Sequence, residues 1–184
     1  MTLTIVRHGE TEWSRTMRHT GRTDLDLTAG GRDAATALRS RLDGRTFALV
    51  LTSPLRRARD TARLAGFPYA VVDDDLVEWD YGDYEGRTSA AIHEDNPQWD
   101  MWRDGAPGGE QLADVAARAA RVIDRVRAAG GDALVFAHGH VLRVLTGCWL
   151  AVDLTVGAHL ALDPATLSEL GDDRGTPVIR RWNA

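Results

Sequence analysis

The sequence predicts an α/β protein whose sheet is mostly parallel and has an antiparallel edge. Apolar, β-branched runs predict strands at residues 2–6, 47–51, 69–72 and 133–137. Segments with helical periodicity separate these runs, and such alternation is typical of a parallel sheet. Two runs end in a histidine followed by a glycine, at His8 and His138, and ligands bind at the carboxyl ends of parallel strands. Residues 158–182 show alternating strand patterns around two turn signals, Asp163-Pro164 and Asp172-Asp173. This predicts an antiparallel hairpin at the sheet edge.

The composition indicates a single domain over residues 1–184, because 43% of the residues are hydrophobic and no linker divides the chain. A net charge of -5 without a basic stripe argues against nucleic acid or an acidic membrane as a partner. The single cysteine, Cys148, excludes an internal disulfide and fits a reducing compartment. No apolar segment of signal-peptide length precedes Arg7 and no run is long enough to span a bilayer, so we expect a cytoplasmic protein. The sequence does not decide between a monomer and a homodimer.

Helix signals fall between the predicted strands. Thr28 is expected to cap a helix that ends at Gly44. Ser53 in a cap position and Pro54 in the first helical position predict a second helix that begins directly after its strand. Further helices are predicted as short segments within residues 88–104, over the mouth of a site, and as a long amphipathic helix over residues 112–126. Residues 10–27 show no clear period and predict a long loop, a class of loop that is often functional.

The first candidate site residues are Arg7, His8 and Gly9, where the N-terminal strand ends. We expect Gly9 to adopt a backbone conformation closed to other residues and to let a ligand come close. Arg7 carries a planar fork of donors suited to phosphate. The arrangement predicts an imidazole aimed at an anion, and the alternative is a histidine that happens to lie in a turn.

Other anion donors are expected in the loop and at the second helix. Ser14, Thr20 and Gly21 are able to donate hydrogen bonds from side chain or backbone, although ordinary loop roles are the alternative. Arg57 lies in the first turns of the predicted helix after Ser53, where the helix dipole attracts anions and disfavours cations. A basic residue in that place invites a functional explanation.

The stretch from residue 76 to residue 86 mixes aromatic, acidic and glycine residues, which is unusual for a plain surface loop. A carboxyl among aromatic rings is partly desolvated and is suited to protonating a leaving group. The aspartates of residues 73–75 predict a solvated turn, with a metal patch as the alternative. A metal held by His138 and His140 would need further ligands, so we expect no metal.

These segments together resemble the histidine phosphatase superfamily, also called phosphoglycerate mutase-like. The blocks that carry the resemblance lie at residues 7–13, 20–25, 53–58, 76–86 and 137–139, in the order found in that family. The resemblance implies a three-layer α/β/α sandwich. It also implies that His8 is the nucleophile that becomes phosphorylated, that Arg7, Arg57 and His138 hold the phosphoryl oxygens, and that Glu78 is the proton donor.

Substrate contacts are expected at Ser14, Thr20, Gly21, Gly139 and Arg143. Ser14 departs from the family, whose members commonly have asparagine there. Arg143, together with Arg22, Arg103 and His140, is either a second phosphate site or a group of surface residues.

The expected activity is hydrolysis of a small phosphorylated substrate, with no metal and no cofactor, because arginines and a second histidine can stabilise the phosphoryl charge. The stretches around Glu78 and His138 most resemble the sedoheptulose-1,7-bisphosphatase and actinobacterial acid phosphatase branch. The family's mutases carry an insertion after the Glu78 motif, and here the interval over residues 86–109 is short. Phosphoglycerate mutase activity is the first alternative, and an inactive phosphate-binding homologue is the second.

Overall fold

A computed structural model describes residues 1–184 and contains one six-stranded sheet. Its strands are β1 Leu3–Arg7, β2 Leu49–Thr52, β3 Val71–Val72, β4 Ala133–Ala137, β5 Leu167–Asp173 and β6 Thr176–Arg181. The spatial order is β3-β2-β4-β1-β5-β6, with parallel pairing from β3 to β1 and antiparallel pairing of β5 with β1 and β6. The predicted parallel sheet with an antiparallel edge is confirmed.

Helices connect the parallel strands. They are α1 Glu12–Arg15, α2 Ala29–Leu42, α3 Arg56–Leu64, α4 Ser89–Asp95, α5 Met101–Asp104, α6 Leu112–Ala128 and α7 Gly139–Leu150. Short 3₁₀ helices lie at Asp74–Leu76, Gly82–Tyr84 and Leu154–His159. None of the helices combines the length and the apolar character that crossing a membrane requires.

Successive residues of the central strands face opposite sides of the sheet, so two cores form. Val135 packs in one core, together with Leu142 of α7 and the apolar face of α6. Phe136, the next residue, packs in the other core with Leu38 of α2 and part of α3. Helices therefore cover both faces, and the expected three-layer α/β/α sandwich is confirmed.

The predicted loop over residues 10–27 and the predicted C-terminal hairpin both differ from the structure. The loop of residues 10–27 contains α1, which is held by a capping box between Thr11 and Ser14. Serine replaces the usual Glu or Gln of this motif, so the sequence signal was weak. The C-terminal region forms one hairpin around Arg174 and Gly175, both with positive φ, and residues 160–166 around Asp163 are not strand.

Helix α3 begins at Arg56, and the prediction that Ser53 and Pro54 start it is wrong. The hydroxyl oxygen of Ser53 accepts the N–H of Leu55 at 3.3 Å and lies 2.7 Å from Nε2 of His138, so it bonds no amide of α3 itself. Asp24 supplies the cap instead, since its Oδ1 accepts the Arg56 N–H at 2.8 Å. The anion-attracting N-terminus of α3 is thus covered by a carboxylate of the chain itself.

Candidate active site

The sheet topology brings the two histidine turns together. Strands β1 and β4 are parallel neighbours, and Arg7 pairs with Ala137 at the last position of their register. His8 and His138 follow these residues directly, and their ring centroids lie 5.1 Å apart. Two histidines far apart in sequence are therefore neighbours at the carboxyl edge of the sheet, as the sequence indicated.

A cavity of about 320 Å³ opens at this edge. Seven of the predicted site residues line it: Arg7, His8, Ser14, Thr20, Glu78, Gly139 and Arg143. The cavity is also lined by residues to which sequence reasoning assigned no definite role: Met17, Arg18, His19, Tyr81, His140, Leu162, Asp163 and Pro164. Three predicted residues, Gly21, Arg57 and His138, do not line it.

The imidazole of His8 is held in one tautomer. Its Nδ1 lies 2.7 Å from the carbonyl oxygen of Gly9, which can only accept, so Nδ1 carries the proton. The pKa of His8 is lowered well below its ordinary value by burial and then by the charges of Arg57 and Arg7. The ring is therefore neutral, with a free lone pair on Nε2, which is the form a nucleophile needs.

The role of Gly9 differs from the expected one. Gly9 does not have a positive φ, and a Cβ added to it would lie 2.4 Å from the carbonyl oxygen of Gly31. Glycine is required here because the loop after β1 packs against the backbone of α2. The close approach that was expected for a ligand is made by the chain itself.

Arg7 presents an unused donor at the cavity. One terminal nitrogen of its guanidinium donates to the carbonyl of Leu162 at 2.5 Å. Its Nε is buried and has no hydrogen-bond partner. A buried donor without a partner costs about 1–3 kcal/mol, and a hydrogen-bond acceptor that reached this nitrogen would relieve the penalty.

Arg57 and His138 lie behind His8, and both are fully buried. Nε of Arg57 donates to Nδ1 of His138 at 3.1 Å, so the proton of this imidazole is on Nε2, which donates to Ser53. Burial, followed by the charge of Arg57, lowers the pKa of His138 well below its ordinary value. Direct contact of these two side chains with a phosphoryl group stays a prediction.

The terminal nitrogens of Arg57 organise the loop that covers the site. They donate to the carbonyls of Thr20, Gly21 and Thr23 at 2.8–3.0 Å. The carboxylate of Glu85 binds the opposite side of this loop, accepting the N–H groups of Gly21 at 2.9 Å and Thr23 at 3.0 Å. Because its amide is engaged by Glu85, the expectation that Gly21 donates to a bound anion is not met.

Glu78 lines the cavity beside the N-terminus of α7. Its carboxylate accepts the N–H groups of Trp79 at 2.9 Å, His140 at 3.0 Å and Val141 at 2.8 Å. Two of these donors are free amides of the first helical turn, which favour a carboxylate in that place. The carboxyl group is thereby oriented in the same cavity as His8.

The far end of the cavity is formed by neutral rings and a guanidinium. The hydroxyl of Tyr81 lies 2.7 Å from Nδ1 of His140, and the ring of His19 lies 4.7 Å from that of Tyr81. Burial raises the pKa of Tyr81 well above its usual range, lowers that of His140 well below, and lowers the pKa of His19 to about 4. Arg143 lies 4.8 Å from the centroid of the Trp102 ring, and its Nε donates to a main-chain carbonyl.

The residues considered for a metal have other partners. His138 is bonded to Arg57 and Ser53, and His140 to Tyr81. The solvated turn expected at residues 73–75 is not found, because Asp73 and Asp75 are largely buried and pair with arginines of α6. Groups of three or more His, Cys, Asp or Glu side chains placed to hold an ion are not found. Metal independence stays a prediction for experiment.

A neutral imidazole, an arginine with a free donor and an oriented carboxyl at the end of a parallel sheet define a site for phosphate esters. The chain belongs to the histidine phosphatase superfamily (branch 1), whose family model matches residues 3–184. It is an enzyme of the phosphoric monoester hydrolase class, in agreement with relatives that are named phosphatases.

Three comparisons describe the similarity. An acid phosphatase of Mycobacterium tuberculosis is 39% identical in an alignment of 178 positions, which covers 94% of this chain and 87% of the relative. The sedoheptulose 1,7-bisphosphatase of Saccharomyces cerevisiae is 37% identical in an alignment of 182 positions, which covers 80% of this chain and 67% of the relative. The solved structure of the product of a Mycobacterium tuberculosis open reading frame superposes with a TM-score of 0.95 at 36% identity, covering 99% of this chain and 96% of that chain.

Proposed function

We propose that the protein is a metal-independent phosphomonoesterase that forms a phosphohistidine at His8 and acts on small phosphorylated metabolites such as sugar phosphates or bisphosphates. One observation carries the proposal. His8, with its lone pair on Nε2, and Arg7, a guanidinium with an unpartnered Nε–H, both line the same cavity, so a nucleophile and a cationic partner for an oxyanion converge there. The named activities of the two curated relatives support a phosphorylated substrate.

In the first step, Nε2 of His8 attacks the phosphorus in line with the ester oxygen. The nitrogen–phosphorus bond forms as the phosphorus–oxygen bond breaks, and the departing alkoxide takes a proton from the carboxyl group of Glu78. Glu78 must therefore be protonated at the start of this step, against the preference of the surrounding amides for its ionised form. Arg7, assisted by Arg57 and His138, stabilises the charge on the remaining phosphoryl oxygens.

In the second step, water attacks the phosphorus of the phosphohistidine. Glu78, now a carboxylate, accepts a proton from that water as the oxygen–phosphorus bond forms and the nitrogen–phosphorus bond breaks. Inorganic phosphate leaves, and His8 is again neutral with its lone pair on Nε2. Because Nδ1 remains bonded to the carbonyl of Gly9, the imidazole keeps the same tautomer through the cycle.

The test is His8→Ala combined with chemical trapping. The variant should lose phosphatase activity while keeping its near-ultraviolet circular dichroism, since chemistry is removed and the core is not. Quenched wild-type enzyme, labelled from a radioactive substrate, should carry phosphate that is stable in alkali and labile in acid, as expected of a phosphohistidine. His93→Gln, which changes a histidine outside the cavity, is the matched control and should keep both activity and label.

Substantial turnover by His8→Ala, or label that survives in it, would show that another group is the nucleophile. A screen of sugar phosphates, sugar bisphosphates and phosphoglycerates, with and without bisphosphoglycerate, separates hydrolysis from the mutase alternative. Phosphate release that exceeds phosphoglycerate isomerisation supports the proposal, and the reverse supports a mutase.

A further inference from the structure

We infer that Arg118 and Glu110 form a positioning pair, which holds the main chain on both sides of Glu78 and thereby sets its carboxyl group for proton transfer. This inference rests on the proposed function, in which Glu78 is the proton donor. The pair lies outside the cavity, and helix α6 otherwise has the character of scaffold.

Arg118 binds the chain before Glu78. One terminal nitrogen donates to the carbonyl oxygens of Asp75 at 2.7 Å and Val77 at 2.8 Å, and the other lies 3.5 Å from the carbonyl of Glu78. Residues 77–81, which include Val77 and Glu78, are neither helix nor strand, so the carbonyls of these two residues have no ladder to join. A side chain therefore takes the place of regular secondary structure.

Glu110 binds the chain after Glu78. Its Oε2 accepts the N–H of Asp80 at 2.9 Å, and its main-chain carbonyl accepts the indole N–H of Trp79 at 2.8 Å. The same carboxylate receives Arg118 in a two-pronged pair, with Nε to Oε1 at 2.8 Å and a terminal nitrogen to Oε2 at 2.9 Å. The two side chains thus form one unit that spans Glu78.

Burial separates this pair from the other ion pairs of α6. The side chains of Arg118 and Glu110 are 12% and 17% exposed, whereas those of Arg121 and Arg125 are 55% and 41% exposed and pair with aspartate side chains. A buried ion pair gains little net stability over apolar packing, so stability alone does not account for it. Its contacts to the main chain beside Glu78 account for the presence of this buried pair.

The carboxyl group of Glu78 is held from the other side by the amides of His140 and Val141. Releasing the main chain at Val77 would let the residue shift against these fixed amides. A displacement of about 1 Å in a reacting group is enough to cost on the order of 10²-fold in rate. Loss of the pair should therefore appear as loss of proton transfer and not as loss of phosphate binding.

The experiment compares Arg118→Met with Arg121→Met, a control on the same helix that removes an exposed pair to Asp75. Both are assayed on an alkyl sugar phosphate and on p-nitrophenyl phosphate, whose leaving group needs no proton. Arg118→Met should lower kcat on the alkyl ester about 10-fold more than on the aryl ester, with KM changed less than about twofold. Arg121→Met should match wild type on both esters.

A double-mutant cycle shows whether Arg118 acts through Glu78. In the Glu78→Gln background, Arg118→Met should add less than about a twofold further loss on the alkyl ester, because the step it supports is already absent. Full additivity, equal loss on both esters, or no loss would overturn the inference. If near-ultraviolet circular dichroism shows that Arg118→Met is unfolded, Arg118→Lys is judged by the same criteria, since an ammonium cannot reproduce the fork.

The Glu78→Gln variant by itself distinguishes failure of the proposed proton donor from failure of the positioning pair. If it shows no dependence on the leaving group, the proposed proton donor is wrong. If the loss in Glu78→Gln depends on the leaving group and the loss in Arg118→Met does not, only the inference about the positioning pair is wrong.

Discussion

Mild acid should destabilise this protein through the histidines of the active site. Burial is the first cause that lowers the pKa of His8, His138 and His140 well below the ordinary value, and it lowers that of His19 to about 4. These rings stay neutral in the folded protein when the pH falls below about 6.5, whereas they become protonated in the unfolded chain. Because the unfolded state then binds more protons, stability must fall as the pH falls.

The size of the effect follows from the number of buried rings. Between about pH 7.5 and about pH 5.5, each such histidine removes about 1.3 kcal/mol from the free energy of unfolding, so the four together remove about 5 kcal/mol. Small domains have a free energy of unfolding of about 5–15 kcal/mol, so this is a large share. Shifted carboxylates do not contribute in this range, since the pKa of Asp104, for example, is lowered to about 2.

The assay is urea unfolding, followed by circular dichroism, at several values across this pH range. The free energy of unfolding should decline steadily below neutral pH, and His19→Gln should reduce the decline by about a quarter because one of four rings is removed. A free energy of unfolding that stays constant between the two ends of the range would refute the reasoning. It would mean that these rings accept protons in the folded state.

Three further predictions concern activity. Dialysis against a chelator should leave the rate unchanged, and a loss that a divalent ion restores would favour a metal site. Glu78→Gln should slow hydrolysis of an alkyl phosphate by on the order of 10²-fold and should slow hydrolysis of p-nitrophenyl phosphate much less. Equal losses on the two esters would mean that Glu78 positions the phosphate or supports the fold. Glu85→Ala leaves the amides of Gly21 and Thr23 unpaired, and the free energy of unfolding should fall by about 1–3 kcal/mol for each of them. The variant should also lose activity on both esters, because the loop bound by Arg57 is released. Unchanged thermal unfolding of this variant would contradict the role assigned to Glu85.

The sequence by itself determined the class of fold, the order of the parallel strands and of the long helices along the chain, and the two histidine turns that reach the active site. These features depend on local patterns. Two apolar runs are followed by a histidine and a glycine, at His8 and at His138, and the alternation of strand and helix places the ends of these strands on one edge of the sheet. Parallel pairing of β1 with β4 then makes the two turns neighbours. Family resemblance supplied the role proposed for Glu78, which no local pattern could assign to one carboxylate of that stretch.

Only the tertiary structure decided which groups support these residues. Asp24 caps α3, Glu85 engages the amide of Gly21, Gly9 packs on α2, and Arg118 holds the chain beside Glu78. Each contact joins residues that are distant in sequence, and each depends on a side chain or amide whose residue type is common in loops and helices. No periodicity or short motif marks them, because partners brought together by folding are specified by the packing of the whole chain and not by their sequence neighbours.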